Sequence, residues 1–499
     1  MSSKVNIKSL NTDVPGLNLL LGGGLPESSF NIIAGTPGSG KTTLAHQIMF
    51  SLAKPDYRAL FFTVMGEPAL KMLRYQQQFS FFDVGIVKRS IRFVNLADDL
   101  VKGNYDTVMA RITKEIETDA PRLVFVDSFR SMVQSASGND NGGSGLQHFV
   151  EALVQQMTSW QATTFLIGEY SSAEAEASPI FTVADGILWL SQNLHRSSIV
   201  RKIQVIKMRG QAHTPGLHTF RINNDGLTIF PRAILPAEVI EQAAKHSLPA
   251  DQRISMGVPG LDEMMGGGLP IGYSLLLVGP SGSGKTVLST EFLAEGVKNG
   301  EPGVIAAFEK SPNQLLSHRL YAMVKEGHVG VIDTRALDLS IDETLHALTS
   351  MIHKMKAKRV VIDSLSGFEL ALAPEFREDY RESLYRMISV LTIMGVTVLM
   401  TAELEDRYTD LRFSSYGNAF LADAIILQRY AEIGGNFQRV MTVVKVRGSV
   451  HSKEIRLYDI VGDVTKIGEP LHHFEGILSG RPTSFLDEEN PNDPASGAP

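Results

Sequence analysis

The stretch VPGLNLLLGGGLPESSFNIIAGTPGSGKTTL beginning at Val14 recurs as VPGLDEMMGGGLPIGYSLLLVGPSGSGKTVL beginning at Val258, an offset of 244 residues. A period this long lies far beyond the roughly 20 to 50 residues of solenoid repeats, so each copy must carry its own core. At about 150 residues per domain, 499 residues allow two to four domains, and the duplication points to two in tandem. The first domain is expected over residues 1–234, a linker over 235–250 and the second domain over 251–485. The linker lies within PRAILPAEVIEQAAKHSLPAD, which has proline near both ends, and falls between the copies. Residues 486–499, LDEENPNDPASGAP, are polar, acidic and proline-rich, as expected of a disordered tail.

Both copies present the same order of signals. An apolar strand, Phe30 to Ala34 or Ser274 to Val278, runs into a glycine-rich turn, and a helix opens at Lys41 or Lys285. A second strand follows, Ala59 to Val64 or Gly303 to Phe308. An amphipathic helix comes next, clearest where Leu345, Leu348, Ile352 and Met355 recur at helical spacing. It leads to an apolar strand that ends in aspartate, LVFVDS from Leu123 or RVVIDS from Arg359. Strands that are apolar throughout and alternate with helices predict an α/β fold, a mostly parallel sheet covered on both faces.

Composition excludes several function classes. The net charge of −7 supplies no global positive field for nucleic acid or an acidic membrane surface. The absence of cysteine removes disulfides, thiolate metal sites and a cysteine nucleophile, and suits a reducing, cytoplasmic setting. No run reaches the ~18 to 20 apolar residues that span a bilayer, and no signal peptide is expected.

The two glycine-rich turns match the phosphate-cradling pattern G-x-x-x-x-G-K-[ST]. The first is Gly35, Thr36, Pro37, Gly38, Ser39, Gly40, Lys41 and Thr42, with Thr43 beyond. The second is Gly279, Pro280, Ser281, Gly282, Ser283, Gly284, Lys285 and Thr286, with Val287 beyond. Glycines let backbone N–H groups turn inward around an anion, and the following helix adds its positive end. Lys41 and Lys285 would reach the β- and γ-phosphates, while Thr42 and Thr286 offer hydroxyls to Mg²⁺. ATP with Mg²⁺ is therefore the expected ligand at both. Asp127 and Asp363 end apolar strands where a Walker B aspartate orients Mg²⁺ and its water; the alternative is an aspartate capping the next helix. A group that orients the attacking water is expected just after the second strand, where Glu309 stands in the second copy and Glu67, after Met65 and Gly66, in the first.

With these motifs in place, the chain resembles the KaiC family of circadian clock proteins from about residue 11 to 483. The resemblance includes a K-[LM]-R-G-type strand in each copy, Lys207-Met208-Arg209-Gly210 and Lys445-Val446-Arg447-Gly448. It implies tandem RecA-like domains, stacked homohexameric rings and ATP bound between neighbouring subunits. Lys207, Met208 and Arg209, and Lys445, Val446 and Arg447, would then meet the neighbour's nucleotide. His213, Asn223, Asn224 and Arg439 fall at nucleotide-contact positions by the same matching, and Glu309 joins Thr286 and Asp363 around the metal. The family's paired glutamates are altered here: Lys310 follows Glu309, and Glu67 stands one place late. The second copy is the stronger candidate for hydrolysis.

The family also phosphorylates itself on an adjacent Ser and Thr. The matching pair is Ala419-Phe420, which cannot accept a phosphoryl group; Thr409, Ser414, Ser415 and Tyr416 are the nearby hydroxyls. Serine/threonine autokinase activity is thus an open expectation. The segment after Arg481 is short and dissimilar, so a KaiA-type activator is not expected, whereas a KaiB-like or signalling partner remains open. Two alternatives to a timer or switch ATPase stand: a DNA-dependent RecA-like motor, against which the acidic balance argues, and a binding module in which ATP only holds a ring together. Glu169 and Glu403, after equivalent strands, are candidate γ-phosphate sensors or partners of the aspartate ends. Adjacent His472 and His473, read as lying on a strand, would face opposite ways and do not suggest a metal site. The aromatic run from Tyr75 to Asp83 is expected in a core or ring interface.

Overall fold

The structure is a computed structural model, and its described residues are 7–64, 69–101, 105–129, 143–195, 198–233, 252–308, 317–333, 339–404, 421–472, 474–477 and 483–484. The chain divides into two units, Met1–Ile234 and Leu235–Pro499. The expected linker and tail lie outside the described residues.

The first unit runs β1 (Phe30–Gly35), α1 (Lys41–Leu52), β2 (Ala59–Thr63), β3 (Ile91–Asn95), α2 (Tyr105–Asp119), β4 (Leu123–Asp127), α3 (Gly143–Ser159), β5 (Thr163–Glu169), β6 (Gly186–His195), β7 (Ser198–Met208), β8 (His218–Asn223) and β9 (Gly226–Phe230). They form a sheet in the order β9-β8-β7-β6-β1-β5-β4-β2-β3. Strands β1 to β6 pair in parallel, and β6 to β9 continue as antiparallel hairpins. Parallel strands need both faces covered, which is why β1, β2 and β4 read as unbroken apolar runs.

Alternate side chains of those runs enter different cores. Ile33, Phe61, Phe125 and Phe165 pack with Leu44 and Ile48 of α1. Ile32, Phe62, Val124 and Leu166 pack with Ile112 and Ile116 of α2 and Leu153 of α3. Phe61, Phe125 and Phe165 share one register, and their rings stack at 5.8 and 4.8 Å between centroids. Burying each such ring contributes about 2 to 3 kcal/mol relative to exposing it.

The second unit runs β10 (Ser274–Gly279), α4 (Lys285–Lys298), β11 (Gly303–Ala307), β12 (Val329–Asp333), α5 (Ile341–Met355), β13 (Arg359–Asp363), α6 (Tyr380–Ile393), β14 (Thr397–Glu403), β15 (Ala424–Ile433), β16 (Asn436–Val446), β17 (Ile455–Val461) and β18 (Val464–Pro470). The sheet order, β12-β11-β13-β14-β10-β15-β16-β17-β18, repeats the first strand for strand. Leu275, Leu277, Val361 and Leu399 pack with Leu288 and Phe292 of α4. On the helical stripe foreseen from the sequence, α5 buries Leu345, Leu348 and Ile352, and it packs against α6. The observed architecture is tandem α/β, with two mostly parallel sheets covered by helices.

One sequence expectation changes. His472 lies in a turn beyond β18 and not on a strand, because β18 closes at Pro470; His473 lies outside the described residues. The aromatic run divides: Phe81 and Phe82 pack against Phe50 at 5.8 and 5.2 Å, whereas Tyr75 is 59% exposed. Among the described residues, no helix is long and apolar enough to cross a membrane.

Candidate nucleotide sites

Each glycine-rich turn sits where a central strand hands over to a helix, β1 to α1 and β10 to α4. The helices open on Gly40 and Gly284, with φ of 100° and 96°, a left-handed conformation in which a side chain is strained. A Cβ on Gly40 would run into Ile222, and one on Gly284 into Ile460, so β8 and β17 close over the turns. Gly35, Gly38, Gly279 and Gly282 complete the turns. Thr43 and Val287 follow in the first helical turns.

Both lysines reach back across the loop. Lys41 Nζ donates to the Thr36 carbonyl at 2.8 Å and lies 3.8 Å from Glu169. Burial pulls its ammonium below the usual lysine range, opposed by Glu169 and Asp127. Lys285 Nζ donates to the carbonyls of Gly279 and Pro280 at 2.7 and 2.9 Å. An ammonium held at the mouth of an amide-lined turn is suited to a polyphosphate.

The threonines meet the aspartates. Thr42 Oγ1 donates to Asp127 Oδ2 at 2.7 Å, and Thr286 Oγ1 donates to Asp363 Oδ2 at 2.9 Å. A hydroxyl and a carboxylate in contact form a hard-oxygen donor set that fits Mg²⁺, which takes few protein ligands and keeps several waters. In the second unit the helix-capping role goes elsewhere: Ser364, not Asp363, accepts from the Gly367 N–H to cap the next helix.

The two aspartates differ in a way no local motif foretells. Asp363 Oδ1 accepts a second bond from Thr401 Oγ1 of β14 at 2.5 Å. At the matching register Asp127 faces Ile167, which has no hydroxyl. Burial pushes the Asp127 carboxyl up to about 6; Thr42 and Lys41 oppose the shift and Glu169 adds to it.

The second turn is further braced from the antiparallel half of its sheet. Ser283 Oγ donates to Gln428 Oε1 at 2.9 Å, and Tyr458 Oη donates to the Ser283 carbonyl at 2.6 Å. Tyr430 Oη lies 3.5 Å from the Ser281 carbonyl. In the first turn Gln192 Nε2 donates to the Pro37 carbonyl at 3.2 Å. Arg439 stands in register between Tyr430 and Tyr458 and donates to Asp459 at 3.1 Å, which places it beside its own unit's turn. Asn223 and Asn224 follow Ile222 in the β8–β9 hairpin, also beside their own turn; Asn223 Oδ1 accepts from the Asp225 N–H, and the Asn224 carbonyl from the Ser80 N–H.

The other basic residues lie elsewhere. Lys207 and Met208 end β7, with Arg209 just beyond, level with the start of β1: Met208 pairs with Gly186, and Gly186 with Asn31. Arg209 donates to Asp185 at 3.2 Å while Asp185 accepts from the Phe30 N–H, and Lys207 Nζ donates to the Thr182 carbonyl at 2.9 Å. Lys445, Val446 and Arg447 repeat this on β16 and just beyond: Lys445 Nζ donates to the Ala422 carbonyl at 2.7 Å, and Arg447 to Asp423 at 3.1 Å. Five strand steps separate Phe30 from Gly35, about 17 Å, so these residues sit at the opposite edge of the sheet from their own unit's turn. His213 lies in the segment after Arg209 and is half-buried. Glu67 and Glu309, with Thr409, Ser414, Ser415, Tyr416, Ala419 and Phe420, lie outside the described residues; the strands before the two glutamates end level with Asp127 and Asp363.

A family model described as "ATPase: KaiC" matches residues 10–234 and again 254–472, which together span most of the chain. The chain belongs to the KaiC ATPase family. Among similar curated proteins is circadian clock protein KaiC3 of Synechocystis sp., 30% identical over 97% of this chain and 96% of that protein. The circadian clock oscillator protein KaiC of Picosynechococcus sp. is 28% identical over 97% of this chain and 94% of its own. Family membership makes nucleotide use the general activity of the chain.

Proposed function

We propose that the chain is an Mg²⁺-dependent ATPase that binds ATP at both turns, assembles into homohexameric rings and acts as a timer or signalling switch. The observation that supports it best is the twofold repetition of one arrangement: lysine across an amide-lined turn, with threonine on a strand-end aspartate. Mg²⁺ held by Thr42 and Asp127, or Thr286 and Asp363, would offset charge on the phosphate oxygens.

The turn's N–H groups and Lys41 or Lys285 bind the phosphates and stabilise the charge that develops on them. Glu309, and Glu67 in the first unit, orient the water that attacks the γ-phosphorus in line and take up its proton; the bond to the β–γ bridging oxygen breaks. Lys207 and Arg209, or Lys445 and Arg447, act on a neighbour's nucleotide. Their place at the far sheet edge supports this, since they are about 17 Å from the turn of their own unit. Asn223, Asn224 and Arg439 serve the nucleotide of their own unit, and His213 the neighbour's.

With γ-labelled ATP and Mg²⁺, the protein should release labelled phosphate, and Glu309→Gln in a Lys41→Ala chain should abolish most of that release. Label retained on protein instead of released would reveal autophosphorylation at Thr409, Ser414, Ser415 or Tyr416. Release unaffected by the paired substitutions would overturn the assignment.

A further inference from the structure

We propose that Gln428 and Tyr458 are positioning residues of the second nucleotide site, holding its turn in the binding shape, and that the first site, which lacks both, is the more adaptable of the two. This rests on the reading of the turns as nucleotide sites and concerns how they differ.

Ser283 is gripped on both sides, its hydroxyl donating to Gln428 and its carbonyl accepting from Tyr458. Both bracing side chains are buried, at 0% and 4% exposure. The first unit shows what the same positions look like without them. Leu190 pairs with Gly35 at the register that sets Gln428 beside Gly279. Phe220 stands two residues before Ile222, as Tyr458 stands two before Ile460, and both isoleucines lie over the turns. Ser39, the counterpart of Ser283, is fully buried, and among the described residues its hydroxyl has no hydrogen-bond partner.

Packing does not account for the polar pair. A leucine and a phenylalanine fill the same positions in the first unit, and Gln428 Nε2 is itself buried without a partner among the described residues, which is costlier than an apolar group of that shape. What the pair adds is a turn fixed by side chains from β15 and β17, so less conformational freedom is lost when phosphate binds. The first turn takes the same shape with fewer braces, Gln192 on the Pro37 carbonyl among them, and none on its buried Ser39 hydroxyl among the described residues.

The test uses the full chain and a fluorescent ATP analogue with Mg²⁺. In a Lys41→Ala background, where only the second site binds, Gln428→Leu with Tyr458→Phe should weaken binding about tenfold, mostly through faster dissociation. The melting temperature without nucleotide should fall only modestly, since a leucine and a phenylalanine fill these positions in the first unit, although Ser283 loses both partners. In a Lys285→Ala background, Leu190→Gln with Phe220→Tyr should tighten the first site, an effect no purely structural role produces. Second-site affinity within twofold of the parent overturns the proposal. If the Leu/Phe variant instead melts early, the reverse graft decides: tightening supports the proposal and no change overturns it. Absence of binding by the unmodified chain would instead refute the nucleotide-site reading.

Discussion

His46 carries the clearest pH signature of any single residue. It lies in α1 on the core side, its ring 4.8 Å from that of Phe61, and it is fully buried. Burial lowers its pKa from the ordinary 6.5 to about 4, and the Gln76 side chain beside it offsets this only in part. Because the folded value lies below the unfolded one, the unfolded chain binds more protons between those limits. His46 by itself is therefore expected to take up to about 3 kcal/mol from the first unit as pH falls from about 6.5 towards 4, while Asp127, held up at about 6, acts in the opposite direction over much of the same range. The difference isolates His46: relative to the parent, His46→Leu should gain stability steadily as pH falls across that range, read from unfolding midpoints, and parallel pH profiles of the two proteins would remove His46 as a cause. At this scale the sequence spoke where chemistry is contiguous. A lysine, a threonine and the glycines between them share one short turn, so their pattern was readable. Gln428 and Tyr458 reach the second turn from strands more than a hundred residues further along, and Thr401 reaches Asp363 from the neighbouring strand; no spacing announces them.

Among the elements, β13 and β4 differ at a buried position. Both begin beside the strand that follows the phosphate turn: Arg359 pairs with Gly303, and Leu123 with Ala59. Leu123 is a plain core residue, whereas the Arg359 guanidinium, 1% exposed, donates to Glu301 at 3.0 Å and to the carbonyls of Ser255 and Phe292 at 2.8 and 3.0 Å. It also lies 4.8 Å from the centre of the Phe292 ring. The apolar run RVVIDS was enough to predict a strand here, whereas an arginine is a residue type ordinarily left exposed. Tertiary context reversed that, because Glu301 and two carbonyls of the α4 side converge on it. Arg359→Leu is expected to destabilise the second unit by about 3 kcal/mol, since the partners lose their donor inside the protein. Denaturant unfolding of that unit measures it, and a change below about 0.5 kcal/mol, the range of surface substitutions, would contradict the account.

For the whole molecule, duplication legible as a 244-residue offset becomes two sheets of identical strand order. What the sequence left to the structure is the separation of two groups of basic residues. Arg439 borders its own turn, while Lys207, Arg209, Lys445 and Arg447 lie at the far edge of their sheets. Division across a sheet is a three-dimensional fact that strand order and register decide. Its functional consequence is testable by mixing subunits in a Lys285→Ala background. Chains carrying Lys207→Ala and Arg209→Ala keep an intact first turn, and Lys41→Ala chains keep the basic pair. Mixed rings should hydrolyse ATP faster than the two parents measured separately, because some interfaces regain both parts. Activity equal to the parents' average would place those residues outside the reaction.

The central claim, that each chain grips a triphosphate twice, is tested most directly by counting. Equilibrium binding of an Mg²⁺-bound, non-hydrolysable ATP analogue should saturate at two per chain, fall to one with either Lys41→Ala or Lys285→Ala, and vanish with both. Saturation at fewer than two in the unmodified protein, or undiminished binding in the doubly substituted chain, would contradict it.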